Sequence, residues 1–272
     1  MAGERLDQAL VERGLCDSRE KARRAIMAGQ VLVNQQPARK ASERVSTGDN
    51  LTLAVAEKYV SRGGLKLEHA LHHFHVDVTG QTAIDLGAST GGFTDCLLQH
   101  GAALVYAVDV GHGQLAWKLR RDPRVIVMEK TNARQLTPAS FQTALERTTK
   151  DKAGNSLTGP NSPEFIPVDL VVVDCSFISL RRILPVAVAL LRVSGRMAPL
   201  IKPQFEAGKA EADKGRGVIT DPAIHARVLR ELEEFVRAQP GLAWRGSTES
   251  PLLGPAGNRE FFALIEKTGQ SD

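Results

Sequence analysis

Four ionisable side chains in this sequence are placed to do chemistry: Lys66, Asp174, Lys202 and Glu260. Lys202 ends the apolar run M-A-P-L-I, Asp174 ends D-L-V-V-V, Lys66 follows S-R-G-G-L and Glu260 opens E-F-F-A-L-I. A lysine that closes an apolar strand must be paired with an acid or have its proton loosened by desolvation. A loosened lysine can serve as a general base near neutral pH. A second group lies in A-I-D-L-G-A-S-T-G-G-F, residues 83–93. There a strand carrying Asp85 breaks into Gly87, Ser89 and Thr90, and a helix opens at Gly91 and Gly92 and runs on through Phe93. Such a turn brings bare backbone N–H groups to a nucleotide-like ligand at a helix N-terminus. The spacing is not G-x-G-x-x-G, so the pyrophosphate fingerprint of dinucleotide enzymes is not met. Strand Leu104–Val108 then ends in Asp109, about 20 residues past the loop, where a carboxylate can accept from ribose hydroxyls.

The elements that must bring these groups together alternate strand and helix. The continuous apolar run before Asp174 predicts a parallel strand buried on both faces. Leu67, Ala70, Leu71 and Phe74 form one helical stripe, which leaves Lys66 on a different face. Helices are predicted at His112–Arg120 and Ser179–Leu191, and strands at Val125–Met128 and Arg196–Ile201. Asp221-Pro222 reads as an N-cap followed by a first-turn proline. Two closing strands are predicted at Leu242–Ser247 and Glu260–Glu266. Thr148–Pro167 reads as a mobile insertion, and Ala207–Val218, rich in Gly, Lys and Glu, suits a lid. His69, His72, His73 and His75 crowd one helix at spacings that could hold a metal. No carboxylate or cysteine partner is evident for them, so they read as solvent-exposed and no metal is expected.

Residues 1–57 read as a unit of their own, 58–60 as a linker and 61–272 as the larger domain. In the first unit Ser18 caps a helix on which Arg19, Lys21, Arg23 and Arg24 crowd two turns. Arg5 precedes this cluster, and Arg39 and Lys40 follow in a loop. Clustered Arg and Lys on a small domain are an electrostatic footprint for a phosphate backbone.

These patterns resemble known families. R-L-D-x-x-L, S-R-E-K-A-R-R-A-I-x-x-G-x-V-x-V-N and S-T-G-D-x-L are similar to the RNA-binding domain named after ribosomal protein S-four. D-x-G-x-S-x-G-G followed by V-Y-A-V-D resembles the first two motifs of S-adenosylmethionine (SAM)-dependent methyltransferases. The order S-R-G-G-L-K, D-L-G-A-S-T-G-G-F, V-V-D-x-S-F-I-S, L-I-K-P-Q-F-E and N-x-E-F-F resembles the TlyA family, related to the FtsJ-type ribose methyltransferases, over essentially the whole chain. That resemblance implies a Rossmann-like α/β fold, a mostly parallel seven-stranded sheet with one antiparallel strand, preceded by a small α+β RNA-binding domain. It implies SAM as cofactor, held by Asp85, the 87–93 loop, Asp109, Asn132 near the adenine, and Asp174. It also implies a Lys66-Asp174-Lys202-Glu260 tetrad that methylates a ribose 2′-hydroxyl, of a cytidine in ribosomal RNA or a ribosomal subunit. Thr90 stands where FtsJ-type loops usually carry proline; the TlyA pattern tolerates Ser-Thr there.

The bulk composition suits this reading. With 42% hydrophobic and 24% charged residues in 272, the chain can bury a substantial core. A net charge of +4 permits a polyanionic partner without demanding one. Cys16, Cys96 and Cys175 form no metal or disulfide pattern, and the first residues lack the apolar stretch of a signal peptide, so a cytoplasmic location is expected. Two other classes remain open: a membrane-active hemolysin, a name the family also carries, and a non-catalytic RNA-binding assembly factor. The first needs an amphipathic or spanning segment that the sequence lacks, and the complete tetrad speaks against the second. A pseudouridine synthase with the same RNA-binding domain has no use for a SAM loop.

Overall fold

The computed structural model describes residues 3–53, 58–148 and 166–269. They form two compact units, Met1–Lys58 and Tyr59–Asp272. The first comprises β1 (Glu4–Arg5), α1 (Leu6–Glu12), α2 (Arg19–Met27), β2 (Val31–Val33), β3 (Gln36–Pro37), β4 (Arg44–Val45) and β5 (Leu51–Leu53). Leu6, Ala9 and Leu10 of α1 meet Ala22 and Ile26 of α2 over Val31, Val45 and Leu51. Ser18 caps α2 as predicted, its Oγ accepting the Lys21 N–H. So small a core contributes little apolar burial, which raises the weight of one buried charge within it, Asp7.

The second unit runs through α3 (Gly63–His73), β6 (Thr82–Leu86), α4 (Gly92–Gln99), β7 (Leu104–Val108), α5 (Trp117–Arg120), β8 (Val125–Met128), α6 (Pro138–Thr148) and β9 (Val168–Val173). It continues with α7 (Leu184–Leu190), β10 (Leu191–Ile201), α8 (Pro203–Glu206), α9 (Lys209–Lys214), α10 (Pro222–Arg237), β11 (Leu242–Glu249) and β12 (Phe261–Lys267). The strand order is β11-β12-β10-β9-β6-β7-β8. All neighbours pair in parallel except β12, which is antiparallel to both β10 and β11. β9 alternates between two cores: Val171 and Val173 face α6, α7 and α10, while Leu170 and Val172 face α3, α4 and α5. The continuous apolar run before Asp174 is therefore a strand covered on both sides, as its pattern predicts.

The chain leaves β6 toward β7 and β8, then returns to place β9 on the other side of β6. Open α/β sheets bind ligands where the strand order reverses in this way. Leu86 and Val173 are register partners, so the residues that follow them, Gly87 and Asp174, emerge side by side. Ile201 pairs with Phe261, which brings Lys202 and Glu260 to the same edge.

Several expectations need correction. Residues 58–60 are not all linker: Tyr59 is buried in the second unit's core, and the Val60 N–H donates to Asp95 Oδ2 at 2.8 Å. The predicted helix His112–Arg120 shrinks to α5. Glu129 accepts from His112 Nδ1 and the Gly113 N–H, both at 2.8 Å, and so holds the loop open. Ser179–Leu191 is a 3-10 turn followed by the short α7, because Pro185 has no N–H to offer and Leu191 already belongs to β10. The insertion read at Thr148–Pro167 falls mostly outside the described residues. The segment read as a lid contains α9, and the Asn258 side chain donates to Gly217 O at 2.9 Å.

Candidate active site

The tetrad residues come together as two ion pairs. Lys66 Nζ lies 2.5 Å from Glu260 Oε2, and Lys202 Nζ lies 2.6 Å from Asp174 Oδ1. Each pair joins distant parts of the chain, Lys66 and Glu260 being 194 residues apart. Glu260 is 1% exposed and Lys66 8%, so each charge needs the other. Each lysine therefore has a carboxylate of its own. Lys202 Nζ directs its hydrogen bond at Ser176 Oγ, 2.8 Å away. Asp174 Oδ1 is buried and receives no directed hydrogen bond. All four residues line a cavity of about 300 Å³ with Ser61, Gly63, Ser89 and Phe93.

Residues of the 87–93 loop line the same cavity. The loop's glycines answer mainly to protein neighbours. Gly87, at φ +90°, has no room for a Cβ, which would come within 2.6 Å of Asp174 O. A Cβ on Gly91 would run into Leu119, and one on Gly92 into Ser61 Oγ. These residues let three elements converge tightly. Ser89 sits at φ +49°, a strained setting for a non-glycine residue. Its N–H donates to Asp109 Oδ2 at 2.8 Å, and the Gly111 N–H donates to Oδ1 at 2.6 Å. Asp109 thus ties the loop to the end of β7 while lining a second cavity of about 500 Å³ with Gln114, Asn132 and Ile178. Asn132 also caps a short turn by accepting from the Arg134 N–H at 3.0 Å.

Asp85 is the exception among the loop residues. It is fully buried beneath the loop and lines neither cavity, and its Oδ2 accepts from the Thr94 N–H and Oγ1 at 3.0 and 2.8 Å. Burial raises its pKa to about 7, with Asp174 and Asp109 adding to the effect and the Thr94 bonds opposing it. Through these bonds Asp85 anchors α4.

Other residues act in ways their motifs do not disclose. Glu206 accepts from Ser179 Oγ and the Leu180 N–H, both at 2.7 Å, and so joins the segment after Lys202 to the segment after Asp174. Asn258 accepts from the Ile219 N–H at 2.9 Å and fixes the end of the α9 segment beside Glu260. Phe177 is 90% exposed at φ +63° and shares a third cavity, about 400 Å³, with Gln204, Phe205, Lys202 and Glu260. Gln204 Oε1 is buried there without a donor.

Among the proposed RNA-binding residues, Arg5, Arg19 and Arg23 all converge on the buried Asp7. Arg5 binds it through two nitrogens at 2.9 and 3.1 Å, and Arg19 and Arg23 bind it at 3.1 and 3.0 Å. Arg5 first, then Arg23 and Arg19, hold its carboxyl far below the usual carboxylate range. Lys21 pairs with Asp17 and Arg24 approaches Glu20, both on exposed surface. Arg39 and Lys40 border a separate groove with Val33, Gln36 and Pro37.

A sheet of this order with a single antiparallel strand, a turned loop after its first parallel strand and an acid closing the next define the class of Rossmann-like methyltransferases. The chain matches the FtsJ-like methyltransferase family over residues 59–267 and the S4 domain over residues 4–51. It is 47% identical to a Bacillus subtilis protein provisionally named rRNA methyltransferase YqxC, over 98% of this chain and 87% of that one. It is 45% identical to the 16S/23S rRNA (cytidine-2′-O)-methyltransferase TlyA of Mycobacterium tuberculosis, over 96% and 89% respectively. Among solved structures, a protein from Streptococcus thermophilus provisionally named a hemolysin superposes with a TM-score of 0.68 at 41% identity, over 99% of this chain and 90% of that one. The chain belongs to the TlyA family of FtsJ-like methyltransferases.

Proposed function

We propose that this protein transfers the methyl group of SAM to the 2′-hydroxyl of a cytidine in ribosomal RNA, docking the RNA through its first unit. The observation that carries the reading is the tetrad, two lysine–carboxylate pairs lining one cavity with residues of the Gly87–Phe93 loop. The residues present suit SAM: Asp109 can accept from ribose hydroxyls, Asn132 borders the same cavity, and the Asp174 carboxylate, which lines both cavities, suits a cationic sulfonium. When bound, SAM supplies an electrophilic methyl group.

The chain's own residues do the rest. A 2′-hydroxyl is a weak nucleophile, so its proton must be taken or shared as attack develops. Lys202 is the base in this reading: as the neutral amine it takes the hydroxyl proton and becomes the ammonium, with Asp174 and Ser176 fixing Nζ in place. Lys66 and Glu260 hold the ribose and balance the charge. The third cavity suits the nucleobase, where Gln204 Oε1 can accept from the exocyclic amino group of cytosine. Most of the acceleration comes from aligning two bound partners. No helix among the described residues is long and apolar enough to cross a membrane. Mapping 2′-O-methyl groups on ribosomal RNA from cells with and without the gene tests the proposal. An unchanged methylation map overturns it, and lysis by the purified protein without SAM supports the hemolysin alternative instead.

A further inference from the structure

On α3, beginning two residues after Lys66, and at the end of α4, three potential metal ligands face one another. Glu68 and His72 lie one turn apart on α3, and His100 caps the C-terminal end of α4. Glu68 Oε1 stands 3.9 Å from His72 Nε2 and 3.8 Å from His100 Nε2. These separations are too long for hydrogen bonds, yet one ligand atom from each residue lies within 4.8 Å of the others. A triangle with sides of 3.8 and 3.9 Å and a third no longer than 4.8 Å has its centre at most about 2.5 Å from each corner. Zinc bonds to imidazole and carboxylate run at about 2.0–2.2 Å. A small adjustment of His72, whose side chain is 72% exposed, closes the difference.

The tautomer of His100 is set for ligation. Its Nδ1 lies 2.8 Å from Cys96 O. A carbonyl oxygen can only accept, so Nδ1 carries the hydrogen and Nε2 presents its lone pair toward Glu68. Fixing the far ring nitrogen in this way is the usual support for a metal-bound histidine. Glu68 is 17% exposed, and two histidines with one carboxylate form a donor set of borderline softness.

We propose that Glu68, His72 and His100 bind one divalent transition-metal ion of the zinc class, with the remaining position open to water. The ion staples the C-terminal end of α3 to that of α4. α3 supplies Gly63 and Lys66 to the cavity and α4 supplies Gly92 and Phe93, so the staple ties together two elements that line it. The site stands on these three residues and does not depend on the reaction proposed above.

The test uses the full chain without a histidine tag, titrated with zinc chloride by calorimetry and with cobalt(II) by visible absorption. One equivalent should bind, with a cobalt spectrum of a four-coordinate ion, and zinc should raise the thermal midpoint. Glu68→Gln, His72→Ala and His100→Ala should each weaken binding by about 100-fold, at least the effect of losing outer-shell support. The His72 side chain is largely exposed, so His72→Ala should keep the wild-type midpoint in metal-free buffer. His73→Ala and His75→Ala should bind as wild type does. No binding at millimolar zinc, or equal loss from His73→Ala and His75→Ala, overturns the site.

Discussion

The two units use buried charge in opposite ways. In the first, a single carboxylate, Asp7, gathers three guanidinium groups that remain one-third to one-half exposed. The cluster carries an excess of positive charge, and none of its cations can give up a proton near neutral pH. In the second, two lysines meet two carboxylates, charges balance, and lysine is the cation that can release its proton when a substrate alters its surroundings. The first arrangement preorganises arginine forks for phosphates; the second suits proton transfer. The buried carboxylates of the two units diverge likewise. Asp7 is held far below the normal range by arginines, whereas burial without a cation lifts Asp85 to about 7.

The largest effect should come from dismantling the arginine cluster. Replacing Arg19, Arg23 and Arg24 together should abolish RNA methylation and flatten the salt dependence of RNA binding. SAM affinity should be unchanged, since all three belong to the first unit. Arg5 stays paired with Asp7, so the carboxylate is not orphaned. Normal methylation by the triple variant would show that docking lies elsewhere.

Next in size is Lys202→Arg, which keeps the charge and removes the ability to act as base. Single-turnover methylation should fall by about 10² or more, with SAM and RNA affinities near wild type. An arginine variant that keeps appreciable single-turnover activity would reduce Lys202 to an electrostatic clamp.

Asp109→Ala should weaken SAM binding by about 1.5–3 kcal/mol, the scale of charge-assisted hydrogen bonds. Part of the loss arises because Ser89 and Gly111 lose their acceptor and the loop loosens. Calorimetry with SAM measures it, and unaltered affinity would move the cofactor site.

The smallest effect concerns Asp85. The unfolded chain releases this proton near pH 4, while the folded protein keeps it until about 7. The folded state therefore binds more protons between those values, and this residue's contribution to stability falls as pH rises through them. Asp85→Asn should flatten that slope in urea titrations followed by the fluorescence of Trp117 and Trp244, both in the second unit. A variant that retains the wild-type slope would mean that Asp85 is ionised throughout.

Much of this protein was legible before any coordinates. The turned loop after Leu86, Asp109 at the next strand's end, the doubly covered run before Asp174 and the caps at Ser18 and Asp221 all follow from local rules. Periodicity, caps and turns depend on residues a few positions apart, and the sequence states those outright. The membership of the tetrad was legible for a related reason, since each member sits at the end of a recognisable element.

Only the tertiary structure decided who meets whom. Lys66 pairs with Glu260 across 194 residues because β12 runs antiparallel beside β10, and no local pattern encodes that neighbour. Arg5, Arg19 and Arg23 look like independent surface cations until α1 turns Asp7 inward beneath them. Asp85 reads as a ligand contact, and only the fold shows its carboxylate also anchoring Thr94 of α4 beneath the loop. His72 has its possible carboxylate partner four residues back, yet His100 reaches them only through the packing of α4 on α3. Side-chain partnerships at long separation depend on sheet order and helix packing, which emerge only when the whole chain has folded.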